Sequence, residues 1–258
     1  MAAPSLPALW IDGYAFGARV LRGGEEPWKT PDDLGFFLRD LAQLLSLDLV
    51  EVPVLPAILA WGEMEGVALG SLGADGMERL MADTRFRAHL KRGLETAAGA
   101  LGSRSLALSL PGPGALAALC VEADEVDEDA LDDLALSLAD LLRALYRPEL
   151  SAFRFAESNP RALEFFDPLT NVARHYEAAS VLVLTGEASA AAAAAEASGF
   201  DAVFCEGEGG SGLVLPAAIW KGASAAPVSD SPAFTEVPAD MVPETVLARL
   251  RQLSGQAA

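Results

Sequence analysis

Short apolar runs alternate with longer segments in which apolar residues recur every three or four positions. The first pattern predicts buried strands, and the second predicts helices with one buried face. Strands that alternate with helices along a whole chain are typical of a parallel sheet covered by helices. The predicted strands are ALWID (8–12), LDLVEVPVL (47–55), SLALSL (105–110), AFRFA (152–156), SVLVL (180–184), AVFCE (202–206) and LVLPA (213–217), with an eighth candidate around APVSD (226–230).

The helical segments lie between these runs, and several have recognisable starting residues. Thr30 and Pro31 stand where an N-cap and a first helical residue are expected. The clearest helix is 126–146, in which acidic residues crowd the first turns and favour the helix dipole. The predicted helices are 27–46, 76–102 (in one piece or two), 126–146, 160–179 (interrupted at Pro168), 188–198 and 242–253.

The number of repeating units selects the fold. Seven or eight strand–helix units in 258 residues match the size of a (β/α)8 barrel, also called a TIM barrel. We therefore predict an α/β fold in which residues 1–258 form one barrel domain. A doubly wound open sheet is the alternative, but no GxGxxG motif follows the first predicted strand to support a nucleotide-binding version.

Composition excludes several classes of partner. Apolar residues make up 52% of the chain, enough for a large core. Lys and Arg number 18 against 37 Asp and Glu, which gives a formal net charge of -19 and argues against nucleic acid and anionic membrane surfaces as partners. The two cysteines suit a reducing compartment, and we see neither a signal peptide nor an apolar run of about 20 residues. We expect a soluble, cytoplasmic protein.

Acidic and polar residues stand at the carboxyl ends of several predicted strands, where barrels place their chemistry. Converging carboxylates suit general acid–base catalysis or the binding of a cation. Their mutual repulsion can also raise the pKa of one of them, so that it acts as an acid near neutrality. The alternative is that most of these acids only face water on loops. The catalytic candidates are Glu157, Glu187, Glu206 and Glu51, and the substrate-binding candidates are Asp12, Ser158, Asn159 and Thr185.

Glu157 is the leading candidate because it ends a strand directly before Ser158-Asn159-Pro160. Ser158 or Asn159 is expected to cap the following helix, whose free N–H groups would then favour an ionised Glu157. Arg154 would add to this effect if the chain brings it near. The alternative is that Glu157 only helps to cap the helix.

The remaining polar residues indicate no metal site. His175 lies on a helix near the amino-terminal side of the predicted barrel, and His89 lies among basic residues on a helix face expected to be solvated. There is no CxxC, HxxxH or HExxH motif, so we predict no metal and no cofactor. The GEGGSG stretch (207–212) is interpreted as a flexible turn.

Three stretches resemble the uroporphyrinogen decarboxylase-like barrels, a superfamily that includes corrinoid-dependent methyltransferases and cobalamin-independent methionine synthase. SLALSLPGPGALAAL resembles a strand and turn of that superfamily, AFRFAESNPRALEFFDPLTNVARHYEAA resembles the next strand and helix, and SVLVLTGEASAAAAAAEASGFDAVFCEG resembles the segment that carries a His-x-Cys zinc motif in methyltransferases. With the C-terminal EVPADMVPETVLARLRQL, the resemblance runs in order over residues 28–254 through weak motifs.

The resemblance implies a short, divergent member with shortened loops and a reduced pocket. Val183-Leu184-Thr185-Gly186 stands where methyltransferases have their zinc ligands, so an intrinsic zinc site is not implied. Residues 8–24 loosely resemble the arginine-bearing first loop of the decarboxylases, which makes Arg19 and Arg22 further substrate-binding candidates. A protein with a formal net charge of -19 is expected to bind a polyanion poorly, unless these two arginines make the electrostatic potential positive at the binding site.

Three functions follow from this resemblance. The first is an enzyme that acts on a small organic substrate by lyase or methyl-transfer chemistry. The second is a non-catalytic homologue that binds a ligand or pairs with a catalytic paralogue. The third is a partner that docks a corrinoid protein at the barrel mouth. A homodimer is also compatible with the sequence.

Overall fold

Eight parallel strands form the centre of the computed structural model, which describes residues 6–121, 126–197, 199–223 and 232–256. Each strand is a short apolar run between a loop and a helix, as expected for strands buried on both faces. The strands are β1 Leu9–Asp12, β2 Leu49–Pro53, β3 Ser105–Pro111, β4 Leu150–Glu157, β5 Ala179–Leu184, β6 Ala202–Cys205, β7 Gly212–Val214 and β8 Ala233–Glu236.

Helices surround these strands, and short 3₁₀ segments connect several of them to the sheet. Asp83 and Asp127 cap α5 and α7, where their carboxylates accept backbone N–H bonds. Within the described ranges the α-helices are α1 Tyr14–Arg22, α2 Pro31–Leu45, α3 Val54–Glu65, α4 Gly73–Ala82, α5 Thr84–Leu101, α6 Pro113–Ala117, α7 Glu128–Leu145, α8 Asp167–His175, α9 Ala192–Ala197 and α10 Pro243–Gln256.

The strands follow one another around a nearly closed barrel. Their order is β1-β8-β7-β6-β5-β4-β3-β2, and every neighbouring pair in this order is parallel. The pairing of β1 with β8 brings the two ends of the series together and excludes a doubly wound sheet. Among the described residues no backbone pairing joins β1 to β2, and we call this gap the seam. The predicted (β/α)8 barrel is confirmed.

Side chains of alternating size fill the barrel interior. Large rings from β1, β6 and β8 (Trp10, Phe204 and Phe234) are almost fully buried there. Small residues on β3, β4, β5 and β6 leave space for them, since side chains in a barrel interior must interdigitate. The small interior residues are Ala107, Ala152, Ala179 and Ala202.

The outer layer packs most closely where α2 crosses α5. A Cβ on Gly35 of α2 would lie 2.0 Å from the carbonyl oxygen of Thr96, so only glycine permits this approach. The Thr96 hydroxyl donates to the carbonyl oxygen of Pro31 at 2.8 Å, which ties the two helices together. These contacts fix α2 against α5 on the outside of the barrel.

Most predicted elements are found, with several corrected boundaries. The 76–102 segment is two helices divided at Asp83, and helix 27–46 begins at Pro31 after a 3₁₀ turn. Strand 47–55 ends at Pro53, because α3 starts at Val54 and takes Pro56 into its first turn, where proline is tolerated. The helices α1, α3 and α6 were not predicted.

The eighth strand lies elsewhere than predicted. It is Ala233–Glu236, whereas the predicted 226–230 segment lies outside the described residues. The segment 160–179 forms a 3₁₀ helix and then α8, since Pro168 occupies the first turn of the second helix. The segment 188–198 is likewise a 3₁₀ turn at Gly186–Ala191 followed by α9.

His89 does not lie on a solvated face, so that prediction is wrong. Its ring lies 5.9 Å from the ring of Trp28 and 5.3 Å from that of Trp61, measured between centroids. Its Nε2 atom is buried without a hydrogen-bond partner among the described residues, and burial lowers the pKa of the imidazole. His89 therefore joins α5 to the elements around the two tryptophans.

Candidate active site at the barrel mouth

A cavity of about 320 Å³ opens at the carboxyl ends of the strands. Its position follows from the fold, because the ends of parallel strands converge at one face of a barrel. Most of its wall is apolar, and the polar part consists of three charged residues, a serine and a tyrosine. The polar lining residues are Asp12, Tyr14, Ser109, Arg154 and Glu236, and the apolar ones include Pro53, Leu55, Pro56, Leu110, Pro111, Ala156 and Val237.

Arg154 is the central side chain of this site. It lies on β4 between two outward-facing phenylalanines, so alternation along the strand directs it into the barrel. Its Nε and Nη2 atoms donate to the two carboxylate oxygens of Glu51 at 2.6 and 2.7 Å. Nη2 also donates to Asp12 Oδ2 at 3.2 Å and to Ser109 Oγ at 3.1 Å. Four strands thus converge on one guanidinium group.

Glu51 is buried beneath the cavity and is held from both sides. The indole N–H of Trp10 donates to Glu51 Oε1, the same oxygen that faces Arg154 Nε. Burial raises the pKa of Glu51 from 4.5 to about 7, although Arg154 opposes the shift; the nearby Asp12 adds to it. Because Trp10 is on β1 and Glu51 on β2, these side chains also bridge the seam.

Asp12 and Glu236 form a pair of carboxylates at the rim. They are register partners on β1 and β8, and neighbouring strands lie about 4.8 Å apart. Asp12 Oδ1 accepts the backbone N–H of Tyr14 at 3.0 Å, whereas Glu236 has no hydrogen-bond partner among the described residues. Partial burial and the Asp12 charge raise the pKa of Glu236, and Arg154 opposes this. Glu236 is the acid best placed to exchange a proton with a bound molecule.

Tyr14 forms another part of the wall. Its hydroxyl donates to Glu26 Oε1, which also accepts the backbone N–H of Trp28. Burial, together with the Glu26 carboxylate, raises the pKa of Tyr14, so the phenol remains protonated. These hydrogen bonds anchor Tyr14 to Glu26 and so to the loop that leads to Trp28.

Glu157 is not directed into the mouth, contrary to its predicted placement. It is three residues from Arg154 on the same strand, and this odd spacing turns it to the outer face. Its Oε1 accepts the backbone N–H groups of Ser158 and Asn159 at 2.9 Å each, and Oε2 accepts that of Gly114 at 2.8 Å and that of Ala115 at 3.3 Å.

Glu157 therefore caps the start of α6 and binds two N–H groups of its own following loop. This is a capping role, but the capped helix is α6 and not the one after Pro160 that was predicted from the sequence. A Cβ on Gly112 or on Gly114 would lie 2.5 or 2.8 Å from its carboxylate oxygens, so both glycines permit the close approach. Burial raises the pKa of Glu157, and the four backbone hydrogen bonds oppose this shift. Arg154 does not contact it, since that side chain is engaged in the interior.

The other predicted residues at strand ends lie away from the mouth cavity. Ser158, Asn159 and Glu187 line a separate cavity of about 590 Å³ beside α6. The Asn159 side chain caps the following 3₁₀ helix by accepting the N–H of Arg161 at 3.0 Å. Thr185 is exposed, and Glu206 accepts the backbone N–H of Gly186 at 3.3 Å on the surface.

The predicted arginines also lie outside the cavity lining. Arg19 is exposed on α1 and donates to the carbonyl oxygen of Ala239 at 2.8 Å. Arg22 approaches Asp33 at 3.8 Å. Neither places positive charge at the mouth, so the structure gives no local reversal of the acidic field there.

Five residues of the site were not named as site residues from the sequence: Trp10, Tyr14, Ser109, Arg154 and Glu236. Arg154 was detectable, since a charge at the centre of the apolar run AFRFA needs a buried partner. Of the predicted site residues, only Asp12 and Glu51 join it in this network.

Comparison with known proteins adds no assignment. No protein-family model matches the chain, and no curated protein matches it at a significant level. In the part of the chain that the structure describes, no group of three or more His, Cys, Asp or Glu side chains is placed to hold a metal ion. No helix in that part is both long enough and apolar enough to cross a membrane.

Proposed function

We propose that this barrel is an enzyme that binds a small organic molecule in the mouth cavity and transforms it by lyase or methyl-transfer chemistry. The resemblance to uroporphyrinogen decarboxylase-like barrels supplies the reaction class, and cytoplasmic location belongs to the same proposal. The observation that carries it is the buried Asp12–Arg154–Glu51 network directly beneath an apolar cavity at the carboxyl ends of the strands.

The network supports proton transfer at Glu236. Arg154 and Asp12 each have at least two hydrogen-bond partners, so the positions of these two charges beneath the cavity are fixed. Glu236 is the carboxyl without a competing hydrogen bond, and its raised pKa brings its proton exchange closer to neutrality. In this mechanism Glu236 donates or accepts the proton, and the apolar walls orient the bound molecule toward it.

A second function is supported by the fact that Arg154 and Glu51 already satisfy each other's hydrogen bonds. Two hydrogen bonds join these groups, so both are largely engaged without a substrate. This favours a non-catalytic homologue that binds a ligand at the rim, or one that pairs with a catalytic paralogue or a corrinoid protein. In that case the buried pair maintains the barrel and takes no part in chemistry.

The test is a turnover screen on the purified chain. Small carboxylic acids and methyl donors are incubated with the protein, and mass spectrometry detects loss of carbon dioxide or transfer of a methyl group. For a compound that is turned over, we expect Glu236→Gln to lower kcat about 10²- to 10⁴-fold, the range for a general acid or base. The exposed Glu208 supplies a matched control, Glu208→Gln, expected to change nothing.

The outcomes separate the two functions. Turnover that Glu236→Gln leaves within a few-fold contradicts the proposed proton-transfer role. Binding of a compound without turnover, detected as a rise in melting temperature, supports the non-catalytic homologue instead.

A further inference from the structure

The charges around the mouth cavity do not balance. Glu51 is neutralised by its bidentate partner Arg154, the one basic residue among those that line the cavity. Asp12 shares the same guanidinium at 3.2 Å, and Glu236 lacks a hydrogen-bond partner within the described ranges. Asp12 and Glu236 are therefore the two carboxyl groups of the rim, and Arg154, which is already paired with Glu51, is the one basic group of the lining that faces them.

The geometry of the rim is suited to a positive group. Asp12 and Glu236 project from register-paired positions on adjacent strands, so a single ammonium nitrogen can lie between them. Ammonium carries only donors, which matches a rim whose free polar atoms are acceptors.

The rest of the cavity is suited to an apolar body. Leu55, Leu110 and Val237 belong to its wall, together with three prolines, and its volume of about 320 Å³ is enough for a compact hydrocarbon group. None of the hydrogen bonds described for Arg154 uses Nη1, so one donor remains for an acceptor atom on the ligand.

We propose that the mouth cavity binds a small organic cation, with its ammonium group between Asp12 and Glu236 and its apolar part against the proline- and leucine-lined wall. This inference rests on the proposed function, because it names the substrate class of the same cavity. It also disfavours polyanionic substrates, which the carboxylates at the rim repel.

Isothermal titration of the whole chain at neutral pH tests the proposal with three probes of one shape: cyclohexylamine, cyclohexanol and cyclohexanecarboxylate. We expect the ammonium probe to bind at least about tenfold more tightly than the alcohol, as one charge-assisted hydrogen bond allows. Glu236→Gln should lower the affinity for the ammonium probe about tenfold and leave the affinity for the alcohol within about twofold of the wild-type value. Glu208→Gln is the charge-matched control and should change neither.

A blocking variant locates the binding. Ala15 is an exposed lining residue on α1, so Ala15→Trp fills the mouth without disturbing the core. It should abolish binding of the ammonium probe while the melting temperature stays close to that of the wild-type protein.

The outcomes also separate this proposal from the proposed function. Tighter binding of the alcohol or the carboxylate, an unchanged affinity in Glu236→Gln, or no binding of the ammonium probe overturns the cation site. The turnover screen then still decides the enzymatic function, because the carboxylic acids in that screen do not depend on a cation site. Binding of the ammonium probe, with no turnover of any compound after small organic amines are added to the screen, supports the cation site and contradicts catalysis.

Discussion

Arg154 and Glu51 illustrate how much a single buried ion pair determines in this barrel. Both side chains are about 5% exposed, and their pairing links β4 to β2 through two hydrogen bonds. Charged groups this deeply buried are stable only when they are paired, since each has lost its hydration. The pair therefore has a structural role even where the rim residues bind a ligand.

Removing one partner should destabilise the protein more than removing both. We expect Glu51→Leu to lower the free energy of unfolding by about 3 kcal/mol at pH 8, since it leaves the Arg154 charge with Asp12 alone. The double variant Glu51→Leu/Arg154→Met should recover most of this loss, because it leaves no buried charge on either strand. Urea denaturation measures both. A double variant as unstable as the single one contradicts this account.

Glu157→Gln separates capping from catalysis. Glutamine offers one acceptor oxygen and an amide nitrogen that cannot accept, so some of the four backbone N–H groups around Glu157 lose their partner. We expect a loss of about 1–3 kcal/mol in unfolding free energy, with the binding of cavity ligands per folded molecule unchanged. The exposed Glu187→Gln serves as control. A large loss of ligand affinity in a stable Glu157→Gln protein would return Glu157 to the active site.

The burial of His89 predicts that the folded protein loses stability in acid. Its folded-state pKa is lowered by burial against Trp28 and Trp61, so the unfolded chain binds the proton more readily. Its stabilising contribution is therefore present above the unfolded pKa of about 6.5 and decreases as the pH falls toward the folded value. Urea unfolding at pH 7.5 and 5 should show a smaller decrease in His89→Phe than in the wild-type protein. An equal decrease in both proteins contradicts the role of this imidazole.

At the scale of elements, the α2–α5 crossing limits substitution most sharply. Gly35 faces the backbone of α5, whereas Gly99 on α5 has open space where its Cβ would lie. Gly35→Ala should cost about 3 kcal/mol through overpacking, because backbone atoms of α5 cannot move aside as a side chain does. Gly99→Ala should be neutral or stabilise by up to about 1 kcal/mol through helix propensity. Thermal unfolding of the two variants checks the contrast, and equal melting temperatures would contradict it.

The order and type of the elements were predictable because they depend on local periodicity. Runs such as SVLVL are apolar throughout, so their burial on both faces is visible within five residues. The last strand was misplaced because AFTE is short and ends in two polar residues. The helix α3 was missed for a related reason, since Pro56 was interpreted as the end of a strand and not as part of a first helical turn.

At the scale of the whole molecule, the site could be predicted only in part, because barrel closure assembles it. Asp12, Glu51 and Glu236 lie far apart in the sequence and meet only when β1 has both β8 and β2 beside it. The presence of acids at strand ends was visible in the sequence, but which of them face inward depends on register. Arg154 and Glu157 show the difference: three residues separate a side chain of the barrel interior from one that caps an outer helix.

At the seam, the barrel has two strand edges, one on β1 and one on β2. A closed ring of strands has no edge. In the part of the chain that the structure describes, however, β1 and β2 each have one side without a paired strand, and the side chains of Trp10 and Glu51 link them across the gap. The amides that face this gap are not protected by strand pairing, so they should exchange with solvent earlier than those of β4 and β5. Glu51 and Asp12 lie on either side of the seam, so an opening of the barrel there would also separate the charges beneath the cavity.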